Sequence, residues 1–186
     1  MTSNEIYIKN RSDLRNWLYK NYSQKEGIWL VFEKGKNRTI DISEIVEELL
    51  CFGWIDSKAG SISDTQTKLY VAPRKAKSNW SALNKSRVKL LIDKGFMEEP
   101  GLKMIELAKQ TGTWDALNDV ENLVIPKDLE AEFKKYKDAK VNFNAFSKSS
   151  QKMILQWLLS AKRPETRKAR IEKTAEMAGR NEKAFG

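Results

Sequence analysis

The chain contains no histidine, one cysteine and four prolines among its 186 residues. Without imidazole there can be no Ser-His triad, no Cys-His dyad, no histidine general base and no His-ligated zinc. A single thiol forms no internal disulfide, and it excludes Cys-rich zinc and iron–sulfur sites. Cys51 lies inside LLCFGW and reads as a small buried apolar residue, since nothing beside it promises a thiolate. There is no Gly-rich phosphate loop, no GxGxxG and no GxSxG, so the commonest nucleotide and hydrolase frameworks are excluded and no cofactor is implied. No apolar run approaches the ~20 residues of a membrane span. The opening MTSNEIYIKNRSDLRNW has neither an apolar signal core nor a small-residue cleavage site. A cytoplasmic protein without a membrane span is the expectation. Any reaction would have to use carboxylates, Lys, Tyr, Ser or a carboxylate-bound metal.

What is present is charge, unevenly spread. The net charge is +9, with 40% apolar and 32% charged residues. Residues 65–94 carry eight basic side chains against one acidic, and residues 148–180 carry nine against three. The 1–64 and 95–147 stretches are slightly acidic, so two basic blocks supply the whole excess. Facing one way they would attract an anion; facing apart they are solvated surfaces of a basic protein.

The periodicity gives a coarse map. RSDLRNWLYKNY (11–22) spaces Leu14, Trp17, Leu18 and Tyr22 on one helical face, with Ser12 as a plausible cap. IWLVFEK (28–34) reads as a buried strand. DISEIVEELLCFG (41–53) is a helix opened by an Asp41/Glu44 capping box, with Ile42, Ile45, Val46 and Leu49 inward and Glu44, Glu47 and Glu48 on a solvated face. Residues 54–75 have β character, with a turn expected at Gly60. From Asn79 onward the pattern is helical: 81–95 burying Leu83, Val88, Leu91 and Ile92; 101–112 aligning Leu102, Ile105 and Ala108; then PKDLEAEFKKY, SSQKMILQWLLSAK and PETRKARIEKTAEMAG. The fold class is therefore α+β: a small, mostly antiparallel sheet with flanking helices in the first half, and a helical C-terminal half packed on it. The expected portions are 1–117 and 118–186, within one continuous globular unit.

Three groups of side chains carry possible chemistry. Strand alternation puts Trp54, Asp56 and Lys58 on one face, an aromatic platform beside a carboxylate and an ammonium. The same residues equally suit a strand leaving the core with an exposed ion pair worth little. In PRKAKSNWSALNKSRVK (73–89), Arg74, Lys75 and Lys77 precede Ser78, Asn79 and Trp80 at a helix start, where free N–H groups and partial positive charge favour an anion. Trp80 would offer a stacking face; alternatively Asn79 or Ser81 is a cap and Trp80 a lid on the core. In AKRPETRKARIEK (161–173), Lys162 precedes an i, i+4, i+7 series of Arg163, Arg167 and Arg170, suited to bidentate phosphate or carboxylate contacts or to solvation alone.

EELLCFGWIDS (47–57), APRKAKSNWSALNKSRVKLL (72–91) and WLLSAKRPETRKARIEK (157–173), in that order, resemble the YdeI/OmdA family of bacterial proteins, often labelled bacteriocin-protection or OmpD-associated. With IWLVFEKG, which fits the family's opening strand, the resemblance spans about residues 25–178. It implies a soluble bacterial protein linked to protection against bacteriocins or antimicrobial peptides. It carries over no catalytic residue. Many relatives have Gly where this chain has Ser57, and a basic residue in the strand before Pro73 where it reads Leu-Tyr-Val-Ala.

Two functional expectations follow. One is a non-catalytic protein that binds an anionic ligand, nucleic acid or an acidic protein through basic and aromatic surface. The other is a small-molecule enzyme or sensor with a pocket around Trp54, Asp56, Arg74 and Trp80. Nothing in the sequence indicates an oligomeric state.

Overall fold

The computed structural model describes residues 4–185, so Met1–Ser3 of the segment read for a signal peptide, and Gly186, lie outside the described residues. The chain divides into two compact units, Met1–Asp115 and Ala116–Gly186. Each is built around its own apolar core. Among the described residues no helix is long and apolar enough to cross a membrane.

The first unit runs β1 (Glu5–Tyr7), α1 (Arg11–Asn21), β2 (Ile28–Glu33), α2 (Ile42–Cys51), β3 (Trp54–Ser61), β4 (Gln66–Pro73), α3 (Ala82–Asp93) and α4 (Glu99–Gln110). The sheet order is β1-β2-β4-β3, with β1 parallel to β2 and the other two pairings antiparallel. The fold is α+β, with strands confined to the first half and helices dominating the second. In β2 the alternation Ile28, Leu30, Phe32 faces inward, and the register sets Val71 and Leu69 beside the first two. Leu14, Leu18, Ile45 and Leu49 from the helices complete that core. Each such side chain contributes about 1.5–3 kcal/mol when fully buried.

Local chemistry sets several boundaries differently from expectation. Asn10, not Ser12, caps α1: its side chain accepts from the Asp13 N–H at 2.9 Å. The α2 capping box forms, with the Asp41 N–H donating to Glu44 at 2.8 Å. Gly60 lies inside β3 rather than at a turn. The hairpin reverses further on, where the Ser63 hydroxyl accepts from the Thr65 and Gln66 N–H groups. On α3 only Val88 and Leu91 are buried, while Leu83 and Ile92 stay exposed, as do Leu102 on α4 and Ile42 at the first turn of α2. Gly101 explains how closely α4 crosses α2: a Cβ there would stand 2.2 Å from the Cys51 carbonyl oxygen.

The expectation of a solvated Glu48 is overturned. It is 2% exposed and sits between Ile45 and Leu49 on the inward side of α2. Arg11 Nε (2.6 Å) and Arg15 Nη1 (2.9 Å) hold its carboxylate, and Arg15 also reaches Glu98 at 2.5 Å. The network ties α1 and α2 to the start of α4.

The second unit is helical: α5 (Asn118–Glu121), α6 (Lys127–Phe133), α7 (Ala139–Ala145), α8 (Lys148–Leu159) and α9 (Pro164–Gly179). Leu129, Phe133, Phe143, Ile154, Leu155, Leu158 and Ile171 make its core, and Ala175 and Ala178 let α9 pack closely. Ser147 caps α8 by accepting from the Ser150 N–H at 3.2 Å.

Candidate functional site

Gly53, with φ at +73°, turns the end of α2 directly into β3. Its carbonyl accepts from the Arg74 N–H at 2.9 Å, so the start of β3 and the exit of β4 meet at one corner. Pro73 sits at the last ladder position, opposite Trp54, where no donor is needed beyond it. The chain then loops from Lys75 to Asn79 before Ser81 caps α3 by accepting from the Asn84 N–H at 3.2 Å. The Ser78 N–H donates to Lys75 O at 2.9 Å. The Thr113 hydroxyl donates to Ala76 O at 3.3 Å, which binds the loop to the chain after α4.

Arg74 is drawn inward by this geometry. It is 5% exposed, and its guanidinium lies 3.8 Å from the centroid of the Trp80 ring. Nη1 donates to Asn79 O at 3.0 Å. Its Nε and Nη2, and the Trp80 indole Nε1, are buried without a hydrogen-bond partner. Burial lowers the Arg74 pKa to about 10, while the charge of Asp56 acts in the opposite direction. It remains a cation at neutral pH.

A second aromatic layer lies beyond. Trp114 packs 5.0 Å from Trp80 at an interplanar angle of 47°. The ammonium groups of Lys85 and Lys109 stand 5.8 and 5.9 Å from its ring centroid. Asp115 is 3.7 Å from Lys85. Lys75, Lys77 and Lys109 are exposed and Trp114 half-buried. The corner is thus a buried Arg–Trp stack leading to a half-buried Trp beside Lys85 and the exposed Lys109.

The sequence candidates fall into place unequally. Trp54 is 1% exposed, donates its indole N–H to Tyr22 O at 3.0 Å and meets Trp17 edge-on, so it is a core residue and offers no platform. Trp80 is 1% exposed too, and Arg74 covers its ring, so it offers no open stacking face; Trp114 is the more exposed indole of the pair. Asp56, half-buried, pairs with Val71 on the core side. Lys58 does not share that face. A bulge at Ser57 shifts the register so that Lys58 pairs with Tyr70 instead. Lys77 and Asn79 are exposed and Ser78 half-buried.

In the second unit, Arg167 is engaged by Asp128 through Nε (2.6 Å) and Nη2 (3.0 Å), which holds the Asp128 carboxyl below its ordinary pKa. Arg170 donates to Ser160 Oγ at 2.9 Å and lies over Trp157 at 4.8 Å. Lys162 and Arg163 alone of this group are exposed. The arginine series is therefore not an open stripe: its spacing matches the inward contacts of α9.

Sequence reasoning missed Trp114 and its two lysines, which no local motif connects to Trp80. It also missed Glu48, although Ile45, Glu48, Leu49 and Phe52 follow helical spacing. A cavity of about 360 Å³ lies beside that carboxylate, lined by Arg11, Ser12, Arg15 and Phe96. The network's arginines are already paired there. Among the described residues no group of three or more metal-ligating side chains is arranged to hold an ion.

Residues 6–104 match the family model described as "Domain of unknown function (DUF8412)", and residues 122–181 match that described as "Bacteriocin-protection, YdeI or OmpD-Associated". The YdeI/OmdA resemblance therefore holds for the third of the three blocks, while the first two lie within the other family's span. No curated protein and no solved structure matches the chain.

Proposed function

Because the chain belongs to the family described as "Domain of unknown function (DUF8412)", with a C-terminal segment of the bacteriocin-protection, YdeI or OmpD-associated family, we propose that it is a non-catalytic cytoplasmic binding protein. It recognises an anionic partner, nucleic acid first among the candidates, and acts in protection against bacteriocins or related peptides. The observation that carries the binding reading is the half-buried Trp114 ring with Lys85 and Lys109 at 5.8 and 5.9 Å from its centroid, backed by the Arg74–Trp80 stack and preceded along the chain by the exposed loop lysines Lys75 and Lys77. Cations interleaved with an accessible indole suit a phosphate backbone and an unstacked base. Lys162 and Arg163 form a lesser contact on the second unit.

The test is fluorescence polarisation of labelled single- and double-stranded oligonucleotides over a salt series. Three or four phosphate contacts on a single strand give a slope of log K against log salt of roughly −2 to −3. Binding that disappears near physiological salt for both probes removes nucleic acid and leaves acidic protein as the partner class.

The small-molecule reading keeps one specific support. Three buried donors at Arg74 and Trp80 lack an acceptor, and a discrete ligand would supply one.

A further inference from the structure

We propose that the Nε/Nη2 edge of Arg74, together with the Trp80 indole N–H, is a receptor for one compact oxyanion, a phosphate or carboxylate group, at the N-terminal approach to α3. This deepens the anionic-partner reading by naming the group that anchors the ligand, and it rests on that reading.

The geometry of the guanidinium carries the argument. Nε and Nη2 donate in the plane along one edge of the group and form the fork that matches two oxygens of one anion. The same chain shows the fork occupied: Arg167 sets Nε and Nη2 on the two oxygens of Asp128, at 2.6 and 3.0 Å. In Arg74 that edge is buried and unpartnered, while the remaining nitrogen is bound to Asn79 O. Trp80 Nε1 is a further unpartnered donor on the ring against which the guanidinium stacks. Buried polar groups are nearly always satisfied. Three orphaned donors on two stacked side chains, with no orphaned buried side-chain acceptor among the described residues, therefore call for an acceptor from outside.

The surroundings agree in charge. Lys75 and Lys77, the nearest cations along the chain, are exposed, as is Asn79. The loop opens into α3, whose first turn adds partial positive charge. The opposing group is Asp56, half-buried and felt by Arg74 through space, yet not within ion-pair distance of it. An incoming oxyanion competes with that carboxylate, so Asp56→Asn tightens binding.

The test uses the ¹⁵N-labelled full chain, whose six tryptophans give six indole N–H resonances. That of Trp80 is identified by its loss in Trp80→Phe. Inorganic phosphate and acetate are titrated separately, with sodium chloride holding the ionic strength constant. The expected result is a saturable shift of the Trp80 resonance. Arg74→Lys, which keeps the charge but loses the fork, weakens binding by about tenfold or more. Response to phosphate alone assigns a phosphate-bearing ligand, and response to acetate as well assigns a carboxylate. A Trp80 resonance unmoved by both ions, or moved equally in Arg74→Lys, overturns the proposal. Lys75→Ala/Lys77→Ala separates the two readings: it loses oligonucleotide binding while keeping the ion response if both hold. Oligonucleotide binding without any Trp80 response overturns the fork and leaves the surface standing.

Discussion

Replacing Arg74 with Met separates a binding residue from a structural one. Arg74 is 5% exposed, so its loss would ordinarily be classed as severe. The contacts argue otherwise. Two buried N–H groups without partners cost about 1–3 kcal/mol each. Against this, the stack on Trp80 at 3.8 Å contributes about 2 kcal/mol. The hydrogen bond to Asn79 O adds about 1.5–3 kcal/mol. The terms nearly cancel. Met keeps the length of the side chain and gains a sulfur–aromatic contact worth about 0.3–1.5 kcal/mol. Arg74→Met should therefore lie within about 1.5 kcal/mol of wild type, whereas breaking a closed buried ion pair costs about 3–5 kcal/mol. Urea denaturation followed by tryptophan fluorescence reads this directly, because Trp17, Trp29, Trp54, Trp80 and Trp114 all lie in the first unit. A midpoint close to wild type at unchanged slope is expected. A loss of about 3 kcal/mol or more would mean that Arg74 is fully paired in the fold, with Asp56 reaching it by a small side-chain rotation, and would refute the reasoning.

Three further outcomes follow from the same contacts. Burial, with a smaller contribution from Glu48, raises the Cys51 pKa to about 11, so thiol titration should find it inert in native protein at neutral pH and reactive on unfolding. Arg167 holds Asp128 below its ordinary value of 3.8, so the pair stabilises the second unit above that pH and the contribution is lost as pH falls through the lowered folded value. The melting temperatures of wild type and Asp128→Asn should therefore differ at neutral pH and converge in acid. Gly101→Ala places a methyl 2.2 Å from Cys51 O and 2.6 Å from Leu50 O, and since backbone cannot step aside cheaply it should cost about 1–3 kcal/mol or more in the same urea assay.

The legible parts of the fold were those set by local rules. Pro164 opens α9, and Ile171, Ala175 and Ala178 keep helical spacing to its end, so its bounds and buried face were readable. β2 was equally plain as an apolar run. What escaped depended on distant partners or on single-residue irregularities. β1 is three residues long and exists through its parallel pairing with β2. The Ser57 bulge, invisible to simple alternation, sends Lys58 to the other face. At the site, the grouping of Arg74 with Trp80 was visible in one short stretch, but its inversion was not. Sequence neighbours suggested an open ring with cations around it, whereas the corner at Gly53 draws the pair inside and leaves Trp114 as the accessible indole.

If the first unit's cation–aromatic corner receives the anionic partner, charge reversal there must weaken binding more than reversal on the second unit. The most direct measurement compares two charge reversals in the oligonucleotide polarisation assay at fixed salt: Lys75→Glu/Lys77→Glu and Lys162→Glu/Arg163→Glu. Binding by the wild type, loss of at least about tenfold in the first variant and a smaller change in the second is the predicted result. Equal losses in both variants, or a loss confined to the second, would contradict it.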